Sequence, residues 1–359
     1  MATFKLAVMA GDGIGKETVP EALKVLEAAA KKYGGFELRP TELPWNSDYY
    51  EKHGRMMPED GIQQLRAFDA ILFGAVGDKR VPEHVSVAQT ILAMRRGLDQ
   101  WANIRPGRLM PGAPCPLKDK EPGQIDFVVV RENTEGEYAD VGGNLFANTP
   151  HEVAVQSAVF TRRGTERILR YGFELARKRK AQGAGKGQLV SVSKQNAQRH
   201  GQVFWHRVFE EVREEYPDIE SRFLYIDAAC MDMVRKPETF DVLVSSNLFG
   251  DILTDLAGAI VGGLGIAPSA NLNPDKAAPS MFEPVHGSAP DIAGKGIANP
   301  FGSVMAAAMM LDFLGQDQAA QGMVRAVESV LSDAKAPKTP DFGGKAKTRE
   351  VGDEIARRV

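Results

Sequence analysis

Short runs of β-branched and aromatic residues alternate along this chain with longer stretches of helical periodicity, and that alternation most restricts what it can fold into. FKLAVM (4–9) reads as a buried strand ending in the turn AGDGIG (10–15), and ETVPEALKVLEAAAKKY (17–33) then sets Val19, Leu23, Leu26 and Ala30 on one helical face. FELRPTEL (36–43) and FDAILFGAVG (68–77) are expected strands, and a helix over 86–101 is expected to carry Ile91, Leu92, Met94 and Leu98 inward. IDFVVVRENTEGEY (125–138), LVSVSKQN (189–196), SRFLYIDAA (221–229) and FDVLVSSN (240–247) read as strands with polar C-terminal ends. In α/β sheets ligands collect beyond such ends. Arg131-Glu132-Asn133, Lys194-Gln195-Asn196, Asp227 and Ser245-Ser246-Asn247 are therefore expected to wall one cleft.

A chain of 359 residues implies two domains at roughly 150 residues each. The segment 105–124 carries five prolines and is the expected crossing between them, with a second crossing in the Gly-rich stretch 258–274. The formal net charge of −3 offers no strong field to recruit nucleic acid or an anionic membrane. The longest uncharged stretch, 256–274, is broken by Gly, Pro, Ser and Asn and cannot serve as a membrane helix, which needs about 20 apolar residues. The N-terminus runs directly into strand-like sequence without the pattern of a secretion signal. Cys115 and Cys230 are too few for a disulfide framework, which fits a reducing cytoplasm. The 36 glycines, about a tenth of the chain, point to many tight turns or close backbone approaches.

Several clusters could carry chemistry. GDGIG (11–15) is a strand-to-helix turn able to present backbone N–H groups to an anion, although it lacks the G-x-G-x-x-G spacing and an ordinary tight turn reads the same way. In NLFGDILTDLAG (247–258), Asp251 and Asp255 lie four residues apart on one helical face. Paired carboxylates repel unless solvated or neutralised by a cation, and an all-oxygen set suits Mg²⁺ or Mn²⁺. Solvated acids at a helix start are the common alternative, but Leu248, Phe249, Ile252 and Leu253 flank these two. Arg95, Arg105 and Arg131 would imply a ligand with more than one carboxylate if they converge. Lys194, set near a cation and arginines, would have its ammonium destabilised and become a candidate general base; Tyr138 is ambiguous alone. In FEPVHGSAPDIAGKGIANP (282–300), His286 could pack on an adenine and Asp291 could accept from ribose hydroxyls while repelling a 2′-phosphate, which favours NAD over NADP.

Together GDGIG, RPGRL, VVVRENTEGEY, SKQN, NLFGDILTD and FEPVHGSAPDIAGKGIANP resemble the β-decarboxylating dehydrogenases, the family of the isocitrate, 3-isopropylmalate, tartrate and D-malate enzymes, in order from about Leu6 to Leu314. The resemblance implies a two-domain α/β/α fold that is not a standard Rossmann fold. One domain, 1–100 plus 262–359, would hold both termini and the cofactor side. The other, 101–261, would hold substrate, metal and dimer-interface residues. Carried over, Arg95, Arg105 and Arg131 would grip the substrate carboxylates, Lys194 would be the base and Tyr138 the acid. Asp227, Asp251 and Asp255 would bind Mn²⁺ or Mg²⁺, and a monovalent cation such as K⁺ is left open. His286, Gly287, Asp291 and Asn299 would contact the cofactor, with Asp291-Ile292 standing where NADP users carry Lys and Tyr. In the family the lysine and the first aspartate reach in from the neighbouring subunit, so a homodimer with shared sites is implied.

The substrate turns on the residues before Arg95. Isocitrate enzymes place Ser and Asn where this chain has Gln89 and Ile91; isopropylmalate enzymes place a Glu where it has Ala88 and a Leu pair where it has Ile91-Leu92. PWNSDYYEKHGRMMP (44–58), PGAPCPL (111–117), AVFTRRG (158–164) and SANLNPD (269–275) resemble the tartrate and D-malate branch. The expected activity is NAD- and metal-dependent oxidation, with decarboxylation, of tartrate or D-malate. A 3-isopropylmalate enzyme is the alternative within the class, and a non-catalytic regulatory subunit the alternative outside it.

Overall fold

The computed structural model describes all residues, Met1–Val359. The chain forms two compact units: Met1–Gln100 with Arg105–Ile125 and Ala257–Val359, and Trp101–Ile104 with Asp126–Leu256. Residues 105–125, placed with the central segment 101–261 by sequence, cluster with the unit that holds the termini. The reason is local: Leu109 N–H donates to Ile125, Cys115 Sγ to the Ile260 carbonyl, and Gly112 lies so close to the Leu331 carbonyl that a Cβ would overlap it. The return crossing falls within the helix Asn247–Ile260, before the Gly-rich stretch expected to carry it.

In the first unit the strands Phe36–Glu42, Ala2–Gly11, Ala70–Ala75 and Ser280–Pro284 pair in parallel in that order, and Pro268–Leu272 joins antiparallel. The last two strands lie in segments the sequence presented as Gly-rich crossing and loop. Alternate side chains take opposite faces. Ala7, Met9, Ile71, Phe73 and Met281 pack against Trp45, Met57, Leu65, Met94 and Leu98. The helices Gly15–Tyr33, Phe301–Phe313, Asp317–Ser332 and Thr348–Arg358 pack on one another and on these strands.

The second unit has four parallel strands in the order Asp126–Glu132, Val242–Ser245, Gln188–Ser193 and Glu220–Tyr225. The helices Arg162–Ala181 and Gly201–Arg213 pack together around stacked Phe173, Phe209 and Tyr216. Two expected strands are divided. SRFLYIDAA ends as a strand at Tyr225 and continues as the helix Ile226–Arg235, because Ala229 and Met233 share a buried helical face. VVVRENTEGEY breaks after Glu132 and resumes as one arm of the antiparallel hairpin Gly136–Leu145/Val153–Val159, with Gly136 at a left-handed φ of 74°.

Candidate active site

Arg131 closes the strand Asp126–Glu132, and its side chain is 1% exposed. Its Nε and Nη2 both donate to Asn247 Oδ1, at 2.9 and 2.7 Å, and its Nη1 pairs with Asp251. Tyr138 donates its phenolic O–H to Asp251 Oδ2 at 2.9 Å, and the Arg131 guanidinium lies 5.5 Å from the Tyr138 ring centre. Local sequence explains the meeting. Ser245 pairs beside Arg131 in adjacent parallel strands, so the helix begun by Asn247 starts next to the guanidinium. Gly250 makes the room: a Cβ there would sit 2.5 Å from Arg131 Cγ. Asp255 follows one turn after Asp251 and is exposed.

The turn from Arg131 to Tyr138 is pinned internally. Glu132 accepts from Thr134 N and Oγ1 and from Glu135 N, at 2.7–3.1 Å. Burial raises its carboxyl to about 6, against the downward pull of those donors.

Lys194 and Asp227 form a separate pair, Nζ to Oδ1 at 2.6 Å, with Nζ 5.7 Å from the Tyr225 ring centre. Asp227 stands in the first turn of Ile226–Arg235, and the Lys194 ammonium holds its carboxyl below the usual range. Within one chain no three His, Cys, Asp or Glu side chains gather as a metal-binding group, so Asp227 does not join Asp251 and Asp255 there. The donors themselves, carboxylate oxygens on Asp251 and Asp255, are of the kind that suits a hard divalent cation.

In the first unit Arg95 Nη2 donates to Glu283 Oε1 at 3.2 Å, both side chains 6% exposed, and Asn271 Nδ2 donates to the same oxygen at 2.8 Å. Arg105, also buried, reaches Ser269 Oγ at 3.3 Å. Arg95 follows a π-helical turn, Ala88–Leu92, set between Glu83–Val87 and Ala93–Gly97. Met94 and Leu98 are fully buried, and Ile91 packs against the same core while half-buried, as is Leu92. Gln89 Oε1 accepts from Met56 N at 3.1 Å, and the hydroxyls of Thr90 and Ser86 donate to the carbonyls of Ser86 and Glu83.

A cavity of about 590 Å³ lies between Val76–Lys79, Val81–Val87 and the loop Gly287–Pro290. Of the four cofactor-side positions, Gly287 lines it. His286 places Nδ1 2.9 Å from the Gly287 carbonyl, while its Nε2 is sealed from solvent with no partner, and burial lowers the ring's basicity. Asn299 donates to Asp341 at 2.9 Å and accepts from Phe301 N at 3.0 Å, bracing the start of Phe301–Phe313; Asp291 is exposed.

GDGIG proves to be a joint of the protein. The N–H groups of Asp12, Ile14 and Gly15 go to the carbonyls of Ala75, Ser288 and Asp12, so they are not offered to an anion. The buried Asp12 carboxylate accepts from Ser47 N, Ser47 Oγ and Gly77 N at 2.8–3.0 Å, which ties the turn to the cavity wall. Glu283, Asn271 and Asp12 are the residues that sequence reasoning left out of the site; Asn247 was expected on the cleft wall, but its bonds to Arg131 were not. Each sits inside a motif already singled out, but its partner lies 12 to 188 positions away, and no spacing rule reports that.

These features place a guanidinium–carboxylate–phenol cluster at a strand end of a mixed α/β chain. The chain belongs to the isocitrate/isopropylmalate dehydrogenase family, which it matches over residues 5–355. It is 52% identical over 364 aligned positions, 99% of each chain, to D-malate dehydrogenase (decarboxylating) of Escherichia coli strain K12. It is 48% identical to tartrate dehydrogenase/decarboxylase of Pseudomonas putida, covering 99% of this chain and 97% of that one. The crystal structure of isocitrate dehydrogenase from Methylococcus capsulatus superposes with a TM-score of 0.88 at 35% identity, covering 99% of both chains.

Proposed function

We propose that this chain oxidises D-malate or tartrate at the hydroxyl-bearing carbon, with NAD as acceptor and Mn²⁺ or Mg²⁺ as the divalent ion, and that the keto acid then loses CO₂. The observation that carries this is the buried Arg131 held against Asp251 and Tyr138, a cluster suited to an anionic hydroxy acid, in a chain about half identical throughout to decarboxylating dehydrogenases of these acids.

Arg95, Arg105 and Arg131 would fork the substrate carboxylates and set the reacting carbon. Lys194 Nζ would take the C2 hydroxyl proton as the C2–H leaves as hydride. Breaking the bond from C3 to its carboxylate releases CO₂ and leaves the electron pair toward C3, where the Tyr138 O–H would deliver a proton. Asp251 and Asp255, with Asp227 of a second copy, would hold the divalent ion, which when bound draws charge off the C2 oxygen, as bound NAD supplies the hydride acceptor. Before Arg95 the hydroxyls of Thr90 and Ser86 are spent on backbone carbonyls, which leaves them little to offer a third carboxylate.

Two observations support a homodimer with shared sites. Lys194 and Asp227 pair with each other and not with the acids on Asn247–Ile260. Nine of the eleven exposed large hydrophobics, among them Phe146 at the hairpin tip, Met231 and Val234, fall in the second unit. No helix is long and apolar enough to cross a membrane, and both cysteines are free.

The test is NAD reduction with Mn²⁺ and potassium across D-malate, the tartrate stereoisomers, isopropylmalate and isocitrate. Turnover on D-malate or a tartrate well above the other two is expected; preference for isopropylmalate or isocitrate sinks the assignment. Asp291→Lys should weaken NAD and admit NADP, shifting the ratio of the two kcat/KM values by about tenfold or more, since a cation replaces an anion at the ribose side. An unchanged ratio would remove Asp291 from cofactor selection.

A further inference from the structure

We propose that Asn247 is a positioning residue that aims the Arg131 guanidinium at the substrate while adding no negative charge to that of Asp251 beside it. It rests on the reading that Arg131 grips a substrate carboxylate. Asn247 is buried, and its one carbonyl oxygen takes two of the guanidinium's donors, Nε at 2.9 Å and Nη2 at 2.7 Å. A guanidinium is planar, so fixing two of its nitrogens on one acceptor fixes the whole plane. The other end of the same amide donates from Nδ2 to the Glu135 carbonyl at 2.9 Å. That carbonyl belongs to the turn whose Thr134 and Glu135 amides are held by Glu132 and which leads through Gly136 to Tyr138. A Cβ on Gly136 would come within 3.1 Å of Asn247 Cβ, so the turn closes directly on this side chain.

One amide thus braces both the carboxylate-gripping cation and the chain that carries the phenol, from the first residue of the helix bearing Asp251 and Asp255. The choice of an amide matters electrostatically. Aspartate could make the same two acceptor contacts, but a second carboxylate beside Asp251 on a guanidinium 1% exposed would cancel the charge an incoming dicarboxylate needs. Aspartate also has no N–H for Glu135.

The measurement is kcat, KM for D-malate and KM for NAD in Asn247→Asp, Asn247→Ser and Arg131→Lys, each checked for a native circular-dichroism spectrum and melting temperature. For Asn247→Asp the D-malate KM should rise about tenfold or more while the NAD KM moves less than about twofold. Asn247→Ser, which keeps the charge but loses the reach, should raise the D-malate KM by about threefold to tenfold. A purely structural amide would lower kcat and melting temperature and leave the two KM values in their normal ratio, and that outcome overturns the proposal. If Arg131→Lys raises the D-malate KM and the folded Asn247 variants do not, the positioning role alone is lost. If Arg131→Lys also binds D-malate normally, the role of Arg131 falls and the proposal with it. Should Asn247→Asp fail to fold, Asn247→Ser decides on the same KM split.

Discussion

Replacing Lys194 by alanine is expected to lower kcat by about three orders of magnitude, within the range for loss of a positioned general base, with the NAD KM within about twofold of normal. The side chain follows Gln188–Ser193 and meets Asp227, which is largely exposed, and the Tyr225 ring. Little packing is lost on truncation, so the fold should persist and the change should appear in turnover. The same variant examines subunit sharing. If Lys194 serves the Arg131 and Asp251 of a second copy, mixing Lys194→Ala with Arg131→Ala chains yields hybrid dimers with one intact site. Random assortment gives half hybrids with half their sites whole, and so about a quarter of wild-type activity from two inactive parents. Chains that exchange subunits without recovering activity would show that Lys194 works within its own chain. Near-normal turnover in Lys194→Ala would remove it from the base role altogether.

Gly250→Ala is expected to destabilise the protein and to lower kcat/KM by about a hundredfold, the scale of a misplaced binding group. In an ordinary helix interior this substitution gains roughly 1 kcal/mol from propensity. Here the new Cβ would lie 2.5 Å from Arg131 Cγ, 2.6 Å from its Cβ and 3.0 Å from Ser245 Oγ. Those atoms are the root of a buried side chain and cannot swing aside, so overpacking of about 1–3 kcal/mol outweighs the propensity gain and the net sign reverses. Denaturant unfolding reads the first effect and steady-state kinetics with D-malate the second. A raised midpoint with normal kcat/KM would mean that helix and strand do not press together at this point.

Local signals reached part of this molecule. The apolar period of 17–33 and the apolar runs at 68–77 and 189–196 report their elements because the helix buries one face and the strands are buried on both. Boundaries were less legible where a single side chain ends an element. Glu132 gathers the Thr134 and Glu135 amides and so stops a run that hydrophobicity alone carries on to Tyr138. The π-turn at Ala88–Leu92 was invisible for a related reason, since a regular period already places Ile91 toward the core, where it packs, and nothing in the spacing reports the wider turn. GDGIG left an anion site and an ordinary tight turn both open because turn geometry is local, whereas the carbonyls that occupy two of its amides come from Ala75 and Ser288.

By itself the sequence determined the class of fold, the order of the motifs, the family and the residue types available for chemistry, because these follow from periodicity and from which side chains can bear charge. What only the tertiary structure decided is who faces whom: Asn247 against Arg131 across 116 residues, Glu283 against Arg95 across 188, and Tyr138 against Asp251 across 113. Hydrogen bonds and ion pairs act over about 3 Å of space. Distance along the chain carries no such information until strands pair and helices pack.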